Sequence, residues 1–212
     1  VTMGTVNFAN GASGEDNTVS FSTTATGDTD VDTLDLGSDN NNLVIEADGP
    51  TEDARLQVES ILNVEFIDTI TLTGSEDIVL NNGIGESGDD GLSKIDASES
   101  SGDIDLGAFA AGVLDGRNEI GTGTDEAITS TLIGGAGQLT ATLAEVDDNN
   151  AGAEQVVETG AGGSDITFTG FAGVGNESDI TFTGGAGDDS VSLDTTITGS
   201  NNFGTGADNT VS

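Results

Sequence analysis

Short runs in which apolar and polar residues alternate recur along the chain and constrain its fold more than any other feature. Examples are TVSFS around Phe21, NLVIEA from Asn42, TSTLIG from Thr129 and QLTATLAEV from Gln138. A period of two residues puts alternate side chains on opposite faces, as in a strand with one buried face. Clusters of Gly, Asn, Asp and Ser separate the runs, and these residues favour turns. The pattern predicts an all-β protein.

Internal repetition favours a solenoid over a sandwich or a barrel. SDITFTG occurs at residues 164–170 and again at 178–184, and we interpret it as one strand used in two successive turns. NFANGASGEDNTVS at residues 7–20 resembles NFGTGADNTVS at 202–212, so the two ends are expected to share one phase of the repeat. We therefore expect a single elongated parallel solenoid over residues 1–212, with 160–212 the most regular part; it is either a window of a longer array or has ends built to stack head to tail.

The repeated phrase also predicts which side chains face the core. Alternation directs the apolar residues inward and the threonines between them outward, and the expected core residues are Ile166, Phe168, Ile180, Phe182, Val191 and Leu193. If each turn held about 20 residues, the turns would stack at about 4.8 Å each. Residues 50–62, PTEDARLQVESIL, offer the only helix start, with a proline followed by acids, so at most one short helix is expected.

The charge of the chain limits its partners. The sequence holds 39 Asp and Glu against 3 Lys and Arg, a net charge of −36, with no histidine and no cysteine. Nucleic acid and anionic membranes are bound through basic residues, so neither is an expected partner, and no apolar stretch approaches the length of a membrane span. Such a charge opposes compaction unless cations or salt screen it. Disorder without metal and adaptation to high salt remain alternative explanations of the acidity.

One stretch matches a calcium-binding repeat at every fixed position. Residues 184–192, GGAGDDSVS, fit the nonapeptide G-G-x-G-x-D-x-U-x, in which glycines allow a tight turn and an aspartate supplies a charged oxygen. Calcium takes six to eight oxygen ligands of this hard type. We expect Asp189 to supply a side-chain ligand, with Asp188 beside it, and Gly185 and Gly187 to supply backbone oxygens.

Two further stretches carry the acid with one extra residue before the valine. In residues 14–19 the candidate ligands are Asp16 or Asn17, and in residues 204–211 they are Asp208 or Asn209. Acidic hairpin turns without a metal are the alternative interpretation at all of these positions.

Together with residues 92–98, LSKIDAS, and 61–65, ILNVE, the nonapeptide resembles phrases of bacterial surface-layer and repeats-in-toxin proteins. The resemblance implies a secreted chain that folds on calcium into a right-handed parallel β-helix or β-roll. It further implies assembly into lattices, filaments or adhesive stalks. This chain has few intact nonapeptides, which favours a β-helix with occasional calcium sites over a long calcium-filled roll.

No catalytic residues are predicted. Parallel β-helices host polysaccharide lyases and epimerases, but such chemistry usually needs a basic or tyrosine side chain, and the only cations here, Arg55, Lys94 and Arg117, are far apart in sequence. No nucleophile elbow or phosphate-binding loop occurs. Outward threonine pairs such as Thr181 and Thr183 leave ice binding as a minor alternative to ordinary exposed strand positions.

The sequence therefore predicts a non-enzymatic, secreted protein of the cell surface: a self-assembling subunit of a surface layer or filament, stabilised by calcium. The expected partners are further copies of the chain, joined head to tail or laterally, and a cell-surface polysaccharide is a candidate anchor. A calcium-rigidified adhesin stalk is the alternative; an ice-binding solenoid or an enzyme acting on polysaccharide is less favoured.

Overall fold

The computed structural model describes residues 1–12, 17–50, 54–64, 67–82, 84, 92–108, 129–144, 154–169, 179–193, 202–204 and 210–211. These residues form eighteen β-strands in two parallel sheets, and no helix occurs among them. The chain alternates between the two sheets, so it is an all-β parallel solenoid.

Sheet A contains ten strands and sheet B eight. The strands of sheet A are β1 (Thr2–Asn7), β3 (Thr29–Asp35), β5 (Arg55–Val58), β6 (Ile61–Leu62), β8 (Asp77–Leu80), β10 (Ile104–Ala108), β12 (Leu139–Ala144), β14 (Ser164–Thr169), β16 (Asp189–Leu193) and β18 (Thr210–Val211). The strands of sheet B are β2 (Thr18–Thr23), β4 (Asn42–Ala47), β7 (Thr69–Gly74), β9 (Lys94–Ser100), β11 (Thr129–Ile133), β13 (Glu154–Glu158), β15 (Asp179–Thr183) and β17 (Asn202–Gly204).

The register between neighbouring strands gives the true length of the repeat. In sheet A, Leu139 lies beside Ser164 and Ser164 beside Asp189, each step being 25 residues. In sheet B, Glu154 lies beside Asp179 after the same interval. The assumed turn of about 20 residues is therefore too short for this part of the chain, because each turn needs two strands and two connections.

The core lies between the two sheets and is built from columns of apolar side chains one turn apart. One column on sheet B contains Leu43, Ile70, Ile95, Leu132, Val157 and Phe182, all at most 1% exposed. Burying a side chain of this size contributes about 1.5–3 kcal/mol to stability. Because the side-chain period of a strand is two, a slip of one residue would turn a strand's apolar set to water, so the columns fix the register.

The predicted core residues are confirmed, with one difference of degree. Ile166, Phe168, Ile180, Phe182 and Val191 are at most 1% exposed, whereas Leu193 is half-buried and packs against the core. The threonines between them are half-buried or exposed on the outer faces, as predicted.

The expected helix at residues 50–62 is wrong for the part described, residues 54–62. There the chain forms β5 and β6, and the side chains of Leu56, Val58 and Ile61 are buried in sheet A. Leu56 and Val58 alternate with the polar Gln57, and this alternation indicates a strand. The proline and the acids at the start of the segment indicated a helix instead.

The interpretation of the SDITFTG phrase also needs correction. Its first copy forms β14 in sheet A and its second forms β15 in sheet B, so the copies lie in opposite sheets and are not the same strand of successive turns. The repeated phrases near the ends differ in the same way. The first runs from β1 in sheet A to β2 in sheet B, whereas the second runs from β17 in sheet B to β18 in sheet A.

Candidate cation site in the glycine edge

Two columns of connections join the sheets, one along each side of the solenoid. We call the connections from sheet B to sheet A the glycine edge; its described residues are 24–28, 48–50, 54, 75–76, 101–103, 134–138, 159–163 and 184–188. We call the described connections from sheet A to sheet B in the first half of the chain the asparagine edge; its residues are 8–12, 17, 36–41, 63–64, 67–68, 81–82, 84 and 92–93. Residues 184–188 of the nonapeptide lie on the glycine edge, and residues 189–192 lie in β16.

Successive turns of the glycine edge touch backbone to backbone. A Cβ atom placed on Gly160 would overlap the carbonyl oxygen of Gly135, and one on Gly185 would overlap the carbonyl oxygen of Gly160. A Cβ on Gly187 would lie 2.6 Å from the carbonyl carbon of Gly162. Gly185 and Gly187 of the nonapeptide are therefore required by the close stacking of turns, whether or not a metal binds.

Aspartate side chains tie some of these turns together. The carboxylate of Asp77 accepts a hydrogen bond of 2.8 Å from the backbone N–H of Asp103, and the carboxylate of Asp103 accepts one of the same length from Gln138. Each carboxylate thus caps a free N–H of the next turn, which is an ordinary structural use of an acid in a turn.

Asp189 points into the solenoid and is 2% exposed. Its Oδ1 accepts hydrogen bonds of 2.9 Å from the hydroxyls of Thr159 and Ser164, both on the preceding turn. Its Oδ2 is buried and has no hydrogen-bond partner. A buried carboxylate oxygen without a donor is costly, so this atom is the point where a bound cation would act.

The other predicted residues of the nonapeptide do not face the same point. The side chain of Asp188 is exposed, and its carbonyl oxygen accepts the backbone N–H of Ser164 at 3.1 Å. Gly185 donates its N–H to the hydroxyl of Thr159 at 2.7 Å, while Gly187 packs against residues 162–163. Thr159 and Ser164, which the sequence did not single out, are the direct neighbours of the Asp189 carboxylate.

Two stretches were predicted to carry the acid with one extra residue before the valine. Of their candidate ligands, only Asn17 lies within the described residues. Its side-chain amide donates to the carbonyl oxygens of Ala12, at 3.0 Å, and Asp39, at 2.8 Å, and so fastens two turns of the asparagine edge. Asp16, Asp208 and Asn209 lie outside the described residues.

The residues around Asp189 fit a calcium ion only in part. A free buried carboxylate oxygen and two hydroxyl oxygens are hard donors of the type that calcium prefers. However, no three acidic, histidine or cysteine side chains among the described residues are grouped so that they could hold one metal ion. A calcium ion at Asp189 would therefore depend on backbone oxygens and water for most of its ligands.

A second buried carboxylate, Glu76, was not identified from the sequence. It is fully buried on the glycine edge, and neither of its carboxylate oxygens has a hydrogen-bond partner. When the connections are aligned by the register of the strands that follow them, Glu76 occupies a position that is glycine in later turns: Gly102, Gly137, Gly162 and Gly187. This alignment would have identified Glu76 as an exception.

The part of the chain that the structure describes contains no helix long and apolar enough to span a membrane. Comparison with known proteins returned no matching family model, no matching curated protein and no matching solved structure.

Proposed function

We propose that the chain is an extracellular structural protein, a subunit of a surface layer or filament, whose solenoid is stabilised by calcium. The observation that carries the proposal is the buried, unpartnered Oδ2 of Asp189 at the aspartate of the calcium-binding nonapeptide. A net charge of −36 supports a requirement for cations, because compaction brings these charges closer together.

The fold supports the structural part of this proposal. A parallel solenoid is a rod whose turns contact only their neighbours, and such rods commonly present long repetitive surfaces for assembly. The resemblance to surface-layer and repeats-in-toxin proteins supports the same assignment. In this role calcium would bind at Asp189 after secretion, where millimolar calcium suits weak sites, and would complete the fold.

Calcium titration of the full chain, followed by circular dichroism and then by electron microscopy, tests the proposal. We expect chelator to reduce the β-type spectrum greatly, and calcium to restore it and to produce sheets or filaments. An unchanged spectrum in excess chelator would contradict calcium-dependent folding. Isolated rods at saturating calcium would contradict self-assembly and favour the adhesin stalk.

The variant Asp189→Asn tests the site itself. Asparagine keeps the shape of the side chain and can still accept from Thr159 and Ser164, but it removes the charge that attracts calcium. We expect the variant to show a smaller rise in Tm on addition of calcium than the parent chain. Asp188→Asn, which removes an exposed charge from the adjacent residue, is the matched control and is expected to keep most of the rise.

A further inference from the structure

The glycine edge contains one position at which a long acidic side chain replaces the stacked glycine. In sheet A, Ile78 lies beside Ile104, which places Glu76 and Gly102 at equivalent positions two residues earlier. At Gly102 a Cβ would overlap the carbonyl oxygen of Glu76, so a side chain cannot be accommodated there. Glu76 needs a cavity that the later turns do not have.

Gly49, in the preceding turn, leaves room for the side chain of Glu76 because it has no Cβ. The side chain of Glu76 extends back over this turn to Gly49. A Cβ on Gly49 would overlap Oε1 of Glu76 and would lie 2.6 Å from the carbonyl oxygen of Ala25, one turn further back. The carboxylate and that carbonyl oxygen therefore border one small space, at which three successive turns meet.

The groups around this space are acceptors and negative charges. Both oxygens of Glu76 are buried and unpartnered, and Asp48, beside Gly49, is held by a hydrogen bond of 2.9 Å from the hydroxyl of Ser75. Burial, followed by the negative charges of Asp48 and Asp28, raises the pKa of Glu76 above its usual value. A side-chain cation lies beside one of these acids: Nε of Arg55 is 3.8 Å from Asp28, in a pair whose side chains are about half exposed. Such a pair does little to offset a buried charge.

We propose that a calcium ion binds in this space, bridging the Glu76 carboxylate and the carbonyl oxygen of Ala25, with the Asp48 carboxylate at the rim. A divalent cation there gives the buried carboxylate oxygens a partner and lies between two acceptors that otherwise repel each other. Water completes the coordination, as is common in weak extracellular calcium sites. The ion joins the turns at residues 24–28, 48–50 and 75–76. The proposal shares its choice of ion with the proposed function, but none of its residues.

Glu76→Gln in the full chain tests the site. Glutamine has nearly the same shape, and its amide can donate to the Ala25 carbonyl oxygen, so the variant is expected to fold. Calcium bound per chain is measured by native mass spectrometry and isothermal titration, with terbium luminescence as a second probe. We expect Glu76→Gln to bind one calcium ion fewer than the parent chain, or to bind it at least tenfold more weakly, and to lose part of the calcium-induced rise in Tm.

Two further variants make the result specific. Glu46→Gln removes the same charge from the exposed outer face of β4 and is expected to bind calcium as the parent chain does. Asp189→Asn removes the site of the proposed function, so the double variant with Glu76→Gln is expected to lose both contributions independently. The inference is overturned if Glu76→Gln binds calcium with unchanged number and affinity, which would show that Glu76 does not bind the ion. It is equally overturned if Glu46→Gln weakens binding as much.

Discussion

The two edges of the solenoid connect the same sheets but differ in length and in how they hold the turns together. Between β11 and β16 the glycine edge always has five residues, at 134–138, 159–163 and 184–188, whereas the opposite connections have nine, at 145–153 and 170–178. On the glycine edge the backbones of successive turns touch at several glycines; on the asparagine edge they touch at Gly11, and side-chain amides also bridge the turns. The glycine edge thus requires glycine at its closely stacked positions, such as Gly135, Gly160 and Gly185, whereas the asparagine edge adds hydrogen bonds from side-chain amides.

The largest effect that distinguishes the edges is expected at Gly160. In Gly160→Ala the new Cβ meets the carbonyl oxygen of Gly135, which is backbone and cannot turn away. We expect the free energy of unfolding to fall by about 3 kcal/mol, the upper end of the cost of overpacking. Denaturant unfolding in saturating calcium measures it.

Gly27→Ala is the control on the same edge, because a Cβ on Gly27 has nothing within 4 Å. Its effect should be within about 1 kcal/mol, and a gain is allowed since alanine restricts the unfolded chain. Equal losses in the two variants would show that close stacking is not what selects glycine at this edge.

A smaller effect is expected on the asparagine edge. Asn40 is 3% exposed, and its amide donates to the carbonyl oxygens of Leu36, at 2.7 Å, and Ala9, at 3.0 Å. Asn40→Ala leaves these acceptors without donors, and we expect a loss of about 1–3 kcal/mol by the same unfolding measurement. Asn81→Ala, at an exposed residue whose amide donates to Glu59, should cost no more than about 0.5 kcal/mol. If both variants cost the same, bridging amides do not stabilise this edge.

The smallest effect is expected away from both edges, on the outer face of sheet B. Lys94 Nζ lies 2.8 Å from Asp96, and both side chains are partly exposed. Partial burial acts to raise the pKa of Asp96, but hydrogen bonds from Lys94 and Ser98 outweigh it, so the pKa is lowered overall. A lowered pKa means that the stabilisation is present at neutral pH and is lost as the pH falls through the acidic range. Lys94→Met should cost less than about 1 kcal/mol at neutral pH. At low pH the variant and the parent chain should converge, and a difference that grows on acidification would contradict this explanation.

The sequence predicted the strands and their inward faces well, because alternation at residues such as Ile166, Phe168, Ile180 and Phe182 reports burial directly. The repeat itself was predicted wrongly, because the two copies of SDITFTG lie in different sheets. They are 14 residues apart, whereas one turn of this part of the chain has 25 residues. The glycine clusters carried the better signal: GGAG at residues 134–137 and again at 184–187 are separated by two turns of 25 residues.

The candidate site was predicted in part. The nonapeptide identified Asp189, but the neighbours that hold it, Thr159 and Ser164, precede it by 30 and 25 residues, so only the register of the turns brings them together. Glu76 belongs to no motif. Its carboxylate lies against Gly49 of the preceding turn, and this neighbour is evident only once the register of the strands is known.

The difference in connection length has a consequence for how such a chain can change over time. Ile104 and Leu139 are ladder neighbours although 35 residues separate them, ten more than the regular step, and the connection between β10 and β11, residues 109–128, holds the additional chain. The side opposite the glycine edge can therefore accept insertions without disturbing the core columns. Between β11 and β16 the glycine edge, where backbones touch, has five residues in every connection. In this part of the chain, new loops that diversify the surface are thus expected along the side opposite the glycine edge.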